Sequence, residues 1–75
     1  MEAVLFGVSK HPTTNKATLM LSDARTEFRF VDLKSPTSSK SVALSAMVNS
    51  NKLPVLADKG VVYIGIESIQ RYCRS

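Results

Sequence analysis

The chain predicts an α/β fold: a four-stranded mixed sheet flanked by three helices, in the order β-α-β-α-β-β-α. Three observations carry that prediction. Apolar and β-branched runs at Ala3–Val8, Glu27–Leu33, Val55–Ala57 and Val61–Ile64 have the length of strands and are too short for helices. Two longer stretches with helix-opening signals separate the first three of these runs. The last two runs are joined by Asp58-Lys59-Gly60, a tight turn in which glycine supplies the positive φ that such turns need.

In order along the chain, Ala3 to Val8 is a continuous apolar run and predicts a strand covered on both faces. Ser9-Lys10-His11-Pro12-Thr13 is a loop, with Pro12 able to open a helix and Ser9 or Thr13 able to cap it. The first helix is predicted from Thr14 to about Asp23, with Ala17, Leu21 and Ala24 on one stripe and Met20 beside them. The second strand spans Glu27 to Leu33, with Phe28, Phe30 and Val31 as its apolar content. Ser35-Pro36 predicts the start of the second helix, Ser as cap and Pro at the first helical position. That helix runs through Val42, Ala43, Leu44, Ala46, Met47 and Val48 to Asn49-Ser50-Asn51, where Asn tolerates the left-handed conformation. Pro54 stands at the start of the third strand, where its missing N–H costs no ladder bond and a cis peptide is accessible. After the hairpin, Ser68 is expected to cap a closing helix that reaches about Cys73. The first β-α-β unit must cross over right-handed and make its strands parallel.

Seventy-five residues predict one domain spanning 1–75, and a chain of this size buries only about 60% of its unfolded surface. A single cysteine excludes an internal disulfide and a Cys-x-x-Cys pair within the chain, and no metal site is expected. The net charge of +4 is spread over ten cations with no run of three, so nucleic acid is not an expected partner. No apolar run approaches the roughly 18 residues of a membrane helix. The N-terminus lacks the basic region of a signal peptide, and a cytoplasmic location is expected. No apolar stripe demands self-association, and the oligomeric state stays open.

This order of elements, with a Pro opening the third strand, resembles the thioredoxin superfamily and in particular the glutaredoxins. In that family an apolar strand and a Tyr precede a Cys-Pro-x-Cys motif, with an Ala three residues past the second Cys. Here Phe6 takes the Tyr position, His11-Pro12-Thr13-Thr14 the motif, and Ala17 the Ala. Leu53-Pro54 matches the family's cis-Pro loop, and Gly65-Ile66-Glu67-Ser68-Ile69 resembles the segment that holds the γ-glutamyl end of glutathione. The second half is also similar to the N-terminal domain of glutathione S-transferases, whose Pro-x-Leu-x-Asp and later Glu-Ser read here as Pro54-Val55-Leu56-Ala57-Asp58 and Glu67-Ser68. The resemblance implies a thioredoxin-like (glutaredoxin) fold and glutathione as a possible ligand.

Both motif cysteines are replaced, by His11 and Thr14. Dithiol exchange needs a low-pKa thiolate and a resolving thiol, so that activity is not expected. The Lys that family members often carry after the first strand is Val8, with Lys10 as a substitute, and the first Gly of the family's Gly-Gly pair is Ile64. The reading that follows is a binding module without redox-active cysteines, for a glutathione-like or peptide ligand or a protein partner. Its ligand-binding residues would be Lys10, His11, Thr13, Leu53, Pro54, Glu67 and Ser68. The alternative is a transferase-like or thiol-disulfide-related enzyme in which Ser9, His11 or Thr14 activates glutathione. Each candidate also has a plainer role. His11 is either a base or anion contact beside a helix N-terminus or simply a loop residue. Ser9, Thr13, Thr14 and Ser68 are either ligand contacts or caps. Cys73 reads as a small buried hydrophobe.

Overall fold

The computed structural model describes residues 2–74. Its elements are β1 (Ala3–Gly7), α1 (Pro12–Asp23), β2 (Phe28–Asp32), α2 (Ser39–Val48), β3 (Val55–Asp58), β4 (Val61–Ile64) and α3 (Gly65–Arg74). The strands form one mixed sheet in the order β2-β1-β3-β4. β1 pairs parallel with β2, Leu5 opposite Phe30, and antiparallel with β3, Leu5 opposite Leu56. β3 and β4 form the expected hairpin, Leu56 opposite Tyr63. Its turn holds Lys59 and Gly60 at φ 52° and 81°, the left-handed pair that matches the twist of the flanking strands.

The strand period of two decides the layers. Ala3, Leu5 and Leu56 point to one face, where they meet Ala17 and Leu21 of α1 and Ile69 of α3 in a closed core. Met20, Phe28, Tyr63, Ile66, Tyr72 and Cys73 pack around it, partly buried. The Tyr63 and Tyr72 rings are tilted with centroids 4.9 Å apart, and the Tyr72 hydroxyl donates to Asp58 Oδ2 at 2.9 Å. Val4, Phe6 and Val31 point to the opposite face and are only half-buried, Phe6 and Val31 facing α2. Full cover of both faces of β1 was the sequence expectation. It fails because α2 leaves part of that face open.

Several element boundaries differ from those the sequence predicts; β2 is shorter by one residue at each end, and β3 runs on to Asp58. β1 ends at Gly7, because the Val8 N–H turns away to the Thr14 hydroxyl. α1 starts at Pro12, with His11 in the cap position and no side-chain cap. Neither Ser9 nor Thr13 caps it. α2 starts at Ser39, not at Ser35-Pro36. Ser38 caps it by accepting from the Ser41 N–H at 3.1 Å, while Ser35 closes a turn of its own by accepting from Thr37 and Ser38. α3 begins at Gly65 directly after β4, so Ser68 lies within its first turn instead of capping it. Gly65, at φ +85°, makes this abrupt change of direction, and its N–H is held by the Pro54 carbonyl at 2.9 Å. Ala24 falls past the end of α1 and is exposed, whereas Ala17 and Leu21 are buried as the stripe predicts. Asn49 ends α2 in the left-handed conformation, as expected. Besides Asn49, the non-glycine residues at positive φ among the described residues are Lys10, Arg25, Lys34 and Lys59.

Candidate functional site

Three loops converge at one end of the sheet. The β1–α1 loop is braced by His11 N–H to the Val8 carbonyl at 3.1 Å, and the first helical bond of α1 runs from Asn15 N–H to the His11 carbonyl at 2.9 Å. The β2–α2 loop is tied to it through Asp32, whose Oδ1 accepts from Lys34 N–H at 2.9 Å and Ser9 N–H at 3.3 Å. The loop before β3 carries Leu53-Pro54, joined by a cis peptide, with Pro54 buried.

Between these loops lies a cavity of about 200 Å³ lined by Val8, His11, Thr14, Pro36, Asn51 and Leu53. A second cavity, of about 340 Å³, opens on the other side of Leu53 and is lined by Lys52, Leu53, Ile64, Gly65, Ile66, Glu67, Ser68 and Arg71. Leu53 borders both, so the two cavities adjoin at the residue that precedes the cis-proline. The second cavity lies at the N-terminus of α3, where the first helical amides lack helical partners and the dipole favours an anion. Lys52 reinforces it: a Cβ on Gly65 would stand 3.9 Å from the Lys52 Cδ, so the lysine stem crosses the helix start. Arg71 stands one turn further along, three residues past Ser68 and therefore on the same side of the helix.

The sequence candidates distribute unevenly over this groove of two adjoining cavities. His11 and Thr14 line its first part, Leu53 its centre, Glu67 and Ser68 its second part. Thr14 is buried and its hydroxyl accepts the Val8 N–H at 3.1 Å, which gives it a bracing task. His11 is exposed, and its Nδ1 lies 3.0 Å from the Thr13 hydroxyl. Ser9, Lys10, Thr13 and Pro54 line neither cavity; Ser9, Lys10 and Pro54 lie in the adjoining loops and Thr13 in the first turn of α1. Lys10 is exposed at φ 69°. Sequence reasoning missed Asn51, Pro36, Lys52 and Arg71. Lys52 was legible as the cation next to Leu53-Pro54, and Arg71 as a cation at i+4 from Glu67.

Cys73 lines neither cavity. It lies on α3 beside Met20 and Asp23 of α1 and the following Ala24, and burial pushes its thiol above the usual cysteine range. Groups of three or more metal-ligating side chains are absent among the described residues, and no helix there is long and apolar enough to cross a membrane.

Asp32 makes the tie between loops pH-dependent. The Lys34 N–H, then the Ser9 N–H, hold its carboxyl below the ordinary aspartate value. A carboxyl with a lower pKa folded than unfolded contributes stability above its unfolded value, and that contribution is lost as pH falls through the folded value. Acidification below about pH 4 is therefore expected to lower Tm more in the native sequence than in Asp32→Asn. Melting curves between about pH 6 and about pH 2.5, either side of the aspartate range, check this. Parallel losses in the two proteins would refute it.

No protein-family model matches the chain, and no curated protein sequence matches it. Solved structures do. A diazinon-metabolizing glutathione S-transferase of the silkworm Bombyx mori superposes with a TM-score of 0.81 at 20% identity, covering 96% of this chain and 36% of the transferase. The buckwheat glutaredoxin–glutathione complex gives 0.81 at 14% identity, covering 96% of this chain and 67% of that one. A glutaredoxin from Archaeoglobus fulgidus gives 0.74 at 15% identity, over 99% and 87% of the two chains. The chain thus spans about a third of the transferase and most of the archaeal glutaredoxin. With its element order, mixed sheet and flanking helices, the chain has the thioredoxin-like fold in the form shared by glutaredoxins and the N-terminal domains of glutathione S-transferases.

Proposed function

We propose that the chain binds a glutathione-like anionic tripeptide in the groove around Leu53, without dithiol chemistry. The observation that carries this reading is the groove itself, two cavities that adjoin at the residue before a cis-proline, the second at the N-terminus of α3 with Lys52 and Arg71 in its lining. Its second part exceeds the roughly 300 Å³ at which small-ligand sites begin, and its first part extends the length available to a three-residue ligand. The ligand's carboxylate would take the helix amides and the two cations, and its backbone would run past Leu53. Glutathione is the ligand of the buckwheat glutaredoxin complex, whose fold this chain shares. The absence of cysteine at positions 11 and 14, and the position of Cys73 outside both cavities, support binding over thiol exchange.

An enzyme reading rests on His11, whose exposed ring lines the first part of the groove and is the titratable side chain there among the described residues. It differs in outcome: turnover of glutathione with a chromogenic electrophile, lost in His11→Ala, would support it.

Titration of isotope-labelled protein with glutathione tests the binding reading. Amides of Leu53, Gly65, Glu67 and Ser68 are expected to shift saturably. Exposed ion pairs contribute about 0.2–1 kcal/mol each. The double change Lys52→Ala with Arg71→Ala is thus expected to weaken binding by about twofold to about thirtyfold with the fold intact. No shift at millimolar glutathione would refute the proposal.

A further inference from the structure

The opposite face of the sheet carries a separate surface. α2 is apolar on nearly every side, with Val42-Ala43-Leu44 and Ala46-Met47-Val48 in its body and Lys40 as its one charge. A helix apolar all round is ordinarily buried. Here Val42 is 61% and Met47 82% exposed. A groove of about 240 Å³ lies between this helix and the sheet, lined by Phe6, Val31 and Leu33 below and by Ala43, Leu44 and Met47 above, with Lys40 at its rim. It is smaller than the roughly 300–1,000 Å³ of small-molecule sites, so its size suits side chains offered by a larger partner.

The charges around the groove select the partner. Arg29 is two residues from Val31 on β2 and shares its face by strand alternation. Lys40 lines the groove itself, and Arg29 lies on the same sheet face next to Val31, opposite Val4. α2 has no acidic residue, and Asp32 is engaged by two backbone amides and Lys34. The acid next to Arg29 is Glu2, at a loose 4.0 Å. A second copy would bring its own Lys40 and Arg29, on a chain of net charge +4, against these cations. We propose that this groove docks an acidic amphipathic helix of a protein partner. Its apolar residues at i, i+3 or i+4, and i+7 would fill the strip beside Met47, whose flexible thioether adapts to them, and its carboxylates would face Lys40 and Arg29.

Two synthetic helical peptides test this against the whole labelled chain. Both carry leucines at i, i+4 and i+7; one has glutamates on its remaining face, the other lysines. The glutamate peptide is expected to shift the amides of Phe6, Val31, Leu33, Leu44 and Met47 saturably and to bind at least tenfold tighter than the lysine peptide. Met47→Glu should weaken it at least tenfold without loss of fold, because Met47 is on the surface, and Lys40→Glu should narrow or reverse the preference between peptides. Equal binding of the two peptides overturns the proposal, as does no shift with the glutamate peptide at millimolar concentration. Two further results overturn it in favour of other occupants. Groove shifts that depend on protein concentration alone would mean a second copy, and binding to phosphatidylserine vesicles that the glutamate peptide does not displace would mean a membrane.

Discussion

Leu56→Ala is expected to remove about 2–5 kcal/mol, a large share of the stability of a chain this size, and to lower the urea midpoint steeply. Leu56 is fully buried at the centre of the sheet, opposite Leu5 on one side and Tyr63 on the other, and packs on Ala17, Leu21 and Ile69. Truncating such a leucine removes its transfer energy and leaves a cavity, at a cost of about 2–5 kcal/mol. At about 0.05–0.15 kcal/mol per residue, a chain of 75 residues has about 4–11 kcal/mol in all. The core is thin, with one leucine from each of β1, β3 and α1 meeting one isoleucine from α3, so there is little surplus to absorb the loss. Urea unfolding followed by circular dichroism measures it. Leu19→Ala, at a side chain 66% exposed, is the contrast and should change stability by less than about 0.5 kcal/mol. An unmoved midpoint in Leu56→Ala would mean that the core does not rest on the sheet's centre.

Gly7→Ala is expected to destabilise the protein by overpacking, for a reason that lies in one neighbour. A Cβ at position 7 would stand 2.7 Å from Thr14 Oγ1 and 2.9 Å from its Cγ2. Thr14 cannot easily retreat, because it is buried and its hydroxyl holds the Val8 N–H. Overpacking of this kind costs about 1–3 kcal/mol. Thr14→Ala alone removes the acceptor of a part-buried amide, at about 1–3 kcal/mol. The two changes together should be less harmful than the sum of the two alone, because the alanine at 14 vacates the space that the alanine at 7 needs. A double-mutant cycle on urea midpoints reads that coupling. Additivity would mean that Gly7 and Thr14 do not press on each other. Thr14 lines the first cavity, so the proposed glutathione binding should weaken in Gly7→Ala along with stability.

Much of this fold is written in local sequence. The strand runs, the Asp58-Lys59-Gly60 turn and the Asn49 stop each carry a signal that holds within a few residues, and the element order follows from them. Helix starts were less legible, because several serines and threonines compete for each one. Ser35 and Ser38 are spaced so that either could cap α2; the bonds of Ser35 to Thr37 and Ser38 decide for Ser38. Ser68 is a good cap by type, but Gly65 lets the chain enter the helix three residues sooner. In the groove, the resemblance to glutaredoxins placed Leu53, His11, Glu67 and Ser68. It could not supply Lys52 and Arg71, whose place in the lining depends on how far their long stems reach. The exposed side of α2 was hidden for another reason: an apolar helix in a sequence looks the same whether or not another element covers it.

The left-handed corners at Arg25, Lys34 and Lys59 bear on how this chain can change over generations. Each holds a long side chain in a conformation that glycine or asparagine adopts more readily, and each is exposed and outside both cavities of the groove. These corners are a reserve of mutational robustness. Drift toward Gly or Asn there would let the thin core tolerate harmful substitutions elsewhere, while drift in the opposite direction, to a β-branched residue, would leave none to spare.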